Sequence, residues 1–184
     1  MYLPSAKSIV LSSDSILDFY RTHHLSMTDN YISKDSCFMD LGRIVQKLNE
    51  VYVYNSANHK LIFYDGIHCA YNKMILSNTN FETTQVEHTS AQFDSIMNLL
   101  LPISPIESEH KKYTAIIIWN KRLGIKNDDN LIEWENTLRS IYKTDIRIIK
   151  VNYDAHDSFK EPYKNQIIKM FNQMYAAYFG ATQK

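Results

Sequence analysis

The chain has 184 residues, 45% hydrophobic and 22% charged, enough to bury a core without a metal or disulfide and too apolar for wholesale disorder. Its 20 Lys plus Arg balance 20 Asp plus Glu, whereas a protein that works by neutralising phosphates carries a basic excess, so no nucleic-acid partner is expected. With 4 Gly and 4 Pro against 13 Tyr and 8 Phe, glycine-rich phosphate loops have little material. The tyrosines read as composition rather than as an aromatic ligand surface.

Ser12-Ser13-Asp14 can cap a first helix carrying Ile16, Leu17 and Tyr20. The polar stretch from His23 to Ser36 reads as a loop. A second helix starts at Asp35 or Ser36, with Leu41, Ile44, Val45 and Leu48 on one stripe. Val51 to Tyr54, a turn through Asn55-Ser56-Ala57-Asn58, and Leu61 to Tyr64 predict a β-hairpin. Asp65-Gly66 then turns toward a third antiparallel strand within residues 67–76, followed by a polar loop over 78–89. Ser90 can cap a helix with Phe93, Ile96, Met97 and Leu100, ended by Pro102. Pro102 to Lys112 reads as an internal linker.

Tyr113 to Trp119 is a nearly continuous apolar strand, the pattern of a strand covered on both faces. Asp128 and Asp129 suit a helix N-terminus, and Leu131, Trp134, Leu138, Ile141 and Tyr142 follow at helical spacing. Ile146 to Val151 is a second buried strand. Phe159 to Phe179 reads as a long helix with Tyr163, Ile167, Met170, Phe171, Met174 and Tyr178 on its apolar side.

These elements predict an α/β class, with mixed α+β as the alternative: a central mixed sheet flanked by helices. Strands 113–119 and 146–151 should be adjacent, parallel and central, joined by a crossover helix. Residues 1–104 would supply helices and a β-meander, and residues 105–184 a strand-helix-strand-helix half, together one compact domain.

The strand Ile116-Ile117-Ile118 ends in Trp119 and leads through Asn120-Lys121-Arg122-Leu123-Gly124-Ile125-Lys126 into a helix; the next strand ends Val151-Asn152-Tyr153-Asp154. Over residues 113–154 this resembles the central strand-helix-strand of the thioredoxin-like fold, where a strand ending in Trp precedes the Cys-Gly-Pro-Cys motif. On that alignment Leu123 and Lys126 stand at the two cysteine positions and Gly124 at the glycine. The resemblance therefore implies the scaffold without dithiol chemistry, which needs both thiols at the strand-to-helix turn. The family continues to a cis-proline, a hairpin and a last helix. Here one helix follows, with Pro162 near its start and not at that proline's place, so either the sheet is completed from the N-terminal half in a rearranged order or the resemblance is one of local α/β structure.

The leading functional expectation is a redox-inactive, non-catalytic module that binds a protein or peptide, with Trp119, Asn120, Lys121, Arg122 and Lys126 as the candidate binding residues on an exposed basic loop. The alternative is an enzyme, hydrolytic in character, using the carboxylates and imidazole of Asp154-Ala155-His156-Asp157 beyond a buried strand. Asp157 is also placed to cap the last helix, with Glu161 in its first turn, and capping is the preferred reading. A third possibility is a redox protein pairing Cys37 with Cys69; two free thiols is the simpler expectation. His68 and Cys69 are adjacent on a strand and point to opposite faces, so a base for Cys69 would have to be His59 or His88. His23-His24 is too sparse for a metal site, and the Walker, dinucleotide, HExxH and GxSxG signatures are missing, so neither cofactor nor metal is expected. Residues 1–11 lack a secretory h-region, and no window approaches the roughly 20 apolar residues of a membrane span. The chain as written reads as soluble and cytoplasmic, or periplasmic or extracytoplasmic if a signal was removed.

Overall fold

Alternation along residues 115–119 sets the architecture. Ala115, Ile117 and Trp119 join one buried cluster, and Ile116 and Ile118 join another, so this strand is covered on both faces. The computed structural model describes residues 10–44, 50–65, 91–121 and 125–179. In chain order the elements are β1 (Val10–Leu11), α1 (Ser13–Thr22), β2 (Asn30–Ser33), a 3-10 turn (Asp35–Cys37) running into α2 (Phe38–Ile44), β3 (Glu50–Asn55), β4 (Leu61–Asp65), α3 (Ala91–Asn98), β5 (Leu100–Pro102), β6 (Tyr113–Trp119), α4 (Ile125–Tyr142), β7 (Ile146–Asn152), β8 (Ala155–His156) and α5 (Tyr163–Phe179).

Six strands form one mixed sheet in the order β4-β3-β6-β7-β2-β5. β6 and β7 are parallel, with Tyr113 opposite Ile146 and Trp119 opposite Asn152, and β2 continues the parallel set beside β7. β3 pairs antiparallel with β6 and forms the hairpin with β4, while β5 lies antiparallel to β2. Strands 113–119 and 146–151 are thus adjacent, parallel and central, as their two-sided hydrophobicity requires. Strands from both 1–104 and 105–184 interleave in this sheet.

One layer holds α1 (Ile16, Phe19, Tyr20) and α4 (Leu131, Trp134, Leu138) against Ala115, Ile117 and Trp119. The other holds α2 (Phe38, Leu41), α3 (Phe93, Ile96) and α5 (Ile167, Phe171) against Ile116, Ile118, Ile149 and Val151. Each large side chain buried there stabilises the fold by about 1.5–3 kcal/mol before entropy, which is why a few helical residues per layer suffice to dock each helix. α1 starts at a capping box: the Ser12 hydroxyl accepts from the Ser15 N–H at 3.1 Å, and the Ser15 hydroxyl accepts from the Ser12 N–H at 3.0 Å. β1 and β8 form a separate two-stranded parallel pair, Val10 opposite Ala155 and Leu11 opposite His156.

The structure corrects several boundaries. Residues 23–36 contain β2 rather than one loop, because Tyr31 and Ile32 bury into opposite layers and the backbone pairs with both β7 and β5; the second helix starts as expected, through the 3-10 turn at Asp35. The stretch 102–112 is not a free linker: Pro102 closes β5, the Pro105 carbonyl accepts from the Asp29 N–H at 2.9 Å, and the Ser104 hydroxyl accepts from the Asn30 N–H at 2.8 Å. The helix before it ends at Asn98, and Leu100 belongs to β5. The last helix begins at Tyr163, not Phe159, and its first turn holds no acidic residue. The residue before a proline avoids the helical region, so Glu161-Pro162, a cis peptide, marks the start. Asp157 therefore caps nothing there, and Tyr163 is 44% exposed instead of buried. The expected strand over 67–76, the loop over 78–89, and His68, Cys69, His88, Val45 and Leu48 lie outside the described residues.

Candidate functional site

Two neighbouring parallel strands send their chains to opposite layers. β6 leads into α4 on the Trp119 side of the sheet, and β7 leads toward α5 on the Ile149 side. The carboxyl ends of two strands at such a reversal are the usual ligand position in α/β sheets. There Trp119-Asn120-Lys121 meets Asn152-Tyr153-Asp154.

Hydrogen bonds tie these two segments together. The Tyr153 N–H donates to the Trp119 carbonyl at 2.8 Å, and Asn120 Nδ2 donates to the Tyr153 carbonyl at 2.5 Å. Asp154, 2% exposed, accepts on Oδ2 from the Lys121 N–H and from Asn152 Nδ2, both at 2.8 Å. A buried carboxylate needs such donors, and here they fix the loop leaving β6 against the loop leaving β7. Lys121 is half-buried, its ammonium 5.0 Å from the Phe19 ring centroid. Asp128, in the first turn of α4, faces this corner; burial raises its carboxyl above the ordinary value, opposed by Lys121 and His23.

Farther along the same loop, His156 is 3% exposed. Nε2 lies 3.2 Å from the Ser13 hydroxyl, while Nδ1 lies 2.6 Å from the Ser158 hydroxyl and 3.2 Å from Asp157 Oδ1. A hydroxyl, an imidazole and a carboxylate in sequence invite comparison with a nucleophile, a base and its orienting acid. The tautomer argues against it. The Ser158 backbone N–H donates to Nδ1 at 3.1 Å, so Nδ1 keeps its lone pair and the neutral ring carries its proton on Nε2. That proton points at Ser13, and a ring donating to the hydroxyl cannot also take its proton.

Farther into the core lie buried charged side chains on both faces of the sheet. Lys150 on β7, fully buried, is 3.0 Å from Glu135 Oε2 on α4, and its ammonium lies 5.4 Å from the Tyr20 ring centroid. Glu135 Oε1 accepts from Arg139 Nε at 3.0 Å, Arg139 Nη2 at 2.9 Å and the Ser26 N–H at 3.0 Å. Burial alone would raise this carboxyl; Lys150, the Ser26 N–H and Arg139 outweigh it and hold it below the ordinary value. Burial raises the Tyr20 phenol, which accepts from the Trp119 indole N–H at 2.8 Å. On the opposite face, fully buried Glu50 accepts from Tyr52 at 2.5 Å and from Tyr64 at 2.7 Å. Burial, then the Glu50 bond and charge, pushes the Tyr52 phenol up and keeps it a donor.

Of the sequence-derived candidates, Trp119 and Asn120 are each 1% exposed: Trp119 stacks on Phe19 at 5.0 Å and Asn120 holds the opposite loop. Lys121 is the one whose described side chain reaches the surface. Arg122 lies outside the described residues, and Lys126 is placed as backbone in the first turn of α4. Cys37 is a partly exposed free thiol in the 3-10 turn, and its suggested partner Cys69 is not described. His59 stands 3.0 Å from Asp94 and packs on Phe93. Among the described residues no group of three or more His, Cys, Asp or Glu could hold a metal, and no helix is long and apolar enough to cross a membrane.

Sequence reading missed Lys150, Glu135, Glu50 and Ser13. The signal for the first two was present: a lysine inside Ile148-Ile149-Lys150-Val151, and a glutamate on the stripe of Leu131, Trp134 and Leu138. Ser13 had none, since its link to His156 spans almost the whole chain. No protein-family model matches this chain, and no curated protein or solved structure shows significant similarity to it.

Proposed function

We propose that this chain is a non-catalytic α/β module, thioredoxin-like over residues 113–154, that binds a protein or peptide segment at the carboxyl ends of β6 and β7, beside Lys121. What carries the reading is the use of the converging polar groups: Asn120, Asn152 and the Asp154 Oδ2 atom hold the two loops together, and His156 donates to Ser13 where a hydrolase needs it to accept. A partner arriving there meets Lys121, and the sequence supplies Arg122 and Lys126 close after it. Cationic side chains there favour a segment bearing carboxylates.

The test is selection of displayed peptides on the wild-type chain, followed by calorimetry of the enriched sequences. Acidic peptides should bind saturably, and Lys121→Glu/Lys126→Glu should weaken them at least about tenfold, or about 1.4 kcal/mol. Saturable binding that ignores the double substitution refutes the location. Labelling of Ser13 by a fluorophosphonate probe replaces the reading with the hydrolytic one.

A further inference from the structure

His156 joins three parts of the chain. Its backbone lies in β8 opposite Leu11 of β1, and the next N–H, that of Asp157, donates to the Leu11 carbonyl at 2.9 Å. Its ring reaches Ser13 at the start of α1 through Nε2, and Nδ1 accepts from the Ser158 N–H. We propose that His156 is an acid-sensitive latch that holds β1 and the first turn of α1 against the segment following β7 and releases them when its ring is protonated. The inference goes beyond partner binding and does not depend on it.

The Ser158 N–H directed at Nδ1 favours the neutral ring. An imidazolium is a donor at both nitrogens, so a proton on Nδ1 would face the Ser158 N–H donor 3.1 Å away. Relief requires the 156–158 turn to move until Nδ1–H points at Asp157 Oδ1, now 3.2 Å away. The Asp157 N–H is the group that holds Leu11, so the same movement pulls on β1. The N-terminus of α1 adds to this, because its exposed N–H dipoles disfavour a cation beside Ser13.

The charged groups around the ring act in both directions. Burial dominates and lowers the imidazole below its ordinary 6.5; Asp157 opposes this, and Lys164 on α5 reinforces it. Asp14 in the first turn of α1 is exposed, and Asp154 is engaged by Asn152 and the Lys121 N–H. A folded value below the unfolded one means that the latch is fully stabilising above pH 6.5 and weakens as pH falls through the lower folded value. For a single proton the loss is at most about tenfold per pH unit.

Hydrogen exchange of the intact chain between pH 7.5 and 5, corrected for intrinsic rates, tests the latch. Protection of residues 10–16 should fall by up to about tenfold per pH unit below 6.5, while residues 113–119 keep theirs. His156→Asn, which retains an acceptor for the Ser158 N–H but cannot be protonated, should remove the pH dependence. Asp157→Asn should move the midpoint to lower pH and Lys164→Gln to higher pH, which keeps the test decisive if His156→Asn does not fold. Equal pH dependence in wild type and His156→Asn, simultaneous loss of protection in both segments, or midpoints unmoved by the two flanking substitutions would overturn the proposal.

Discussion

Replacing Lys150 by methionine probes the buried ion pair most directly. The substitution leaves Glu135 3% exposed with a carboxylate whose Oε2 has lost an ammonium 3.0 Å away. Breaking a buried pair from one side costs about 3–5 kcal/mol. Arg139 and the Ser26 N–H still hold Oε1, so the lower end, about 3 kcal/mol, is expected for Lys150→Met. Glu135→Leu should cost more, about 4–5 kcal/mol, because it leaves a fully buried ammonium with the Tyr20 ring as compensation, a contact worth about 0.5–2 kcal/mol. The double substitution removes both charges and should fall within about 2 kcal/mol of wild type. Urea unfolding at pH 7, followed through the buried Trp119 and Trp134, gives the four free energies of the cycle. Glu135 lies below its ordinary value, so its contribution is present above pH 4.5 and lost as pH falls through the lower folded value. The Lys150→Met penalty should shrink in the same direction, since a protonated Glu135 needs no counter-ion. A penalty below about 1 kcal/mol, the level of an exposed ion pair, or two single effects that simply add, would refute the reasoning.

Gly42→Ala should destabilise the fold by about 1–3 kcal/mol despite alanine's better helix propensity: its Cβ would overlap the Tyr153 hydroxyl, and that ring is stacked on Phe38 at 4.3 Å. Calorimetric melting of Gly42→Ala with and without Tyr153→Phe measures the effect, and relief by the second change identifies the clash. On α5, Phe171→Ala should cost about 3–5 kcal/mol while Tyr163→Ser stays within about 0.5 kcal/mol, because Phe171 is 5% exposed and Tyr163 44%. Similar denaturation midpoints for these two variants would contradict the packing described for α5.

What could be read in advance was whatever one element announces by itself. The run 113–119, the amphipathic helix after it and the hairpin carry their pattern within a few residues, and they fold where the pattern places them. β2 is different. Asn30 and Ser33 look like loop residues, but both are buried, because Ser104 satisfies the Asn30 N–H and the strand sits between β7 and β5. Nothing near residue 30 announces partners near 102 and 151. The site divides in the same way. The position of the loop after Trp119 was legible from strand and helix signals, but its inward-facing polar contacts were not, since they depend on which way β6 and β7 lead. The charge pair was half legible: Lys150 and Glu135 each break an apolar pattern, and only the register of α4 on β7 shows that each break answers the other.

The sheet order also fixes when this chain can fold during synthesis. The central place beside β6 is filled by β7, and β2, made early, finds its parallel partner only when Lys150 and Val151 exist to pair with Asn30 and Tyr31. β1 waits longer still, for Ala155 and His156. A nascent chain that stops after β6 therefore has the Ile116-Ile117-Ile118 strand zipped to β3 on one side and open on the other, the kind of bare apolar edge on which chains associate. Non-local pairing of this sort is slow, since loop closure comes before its contacts repay it. The decisive pairing should accordingly come late, and the danger of aggregation should peak in the interval between the emergence of β6 and that of β7.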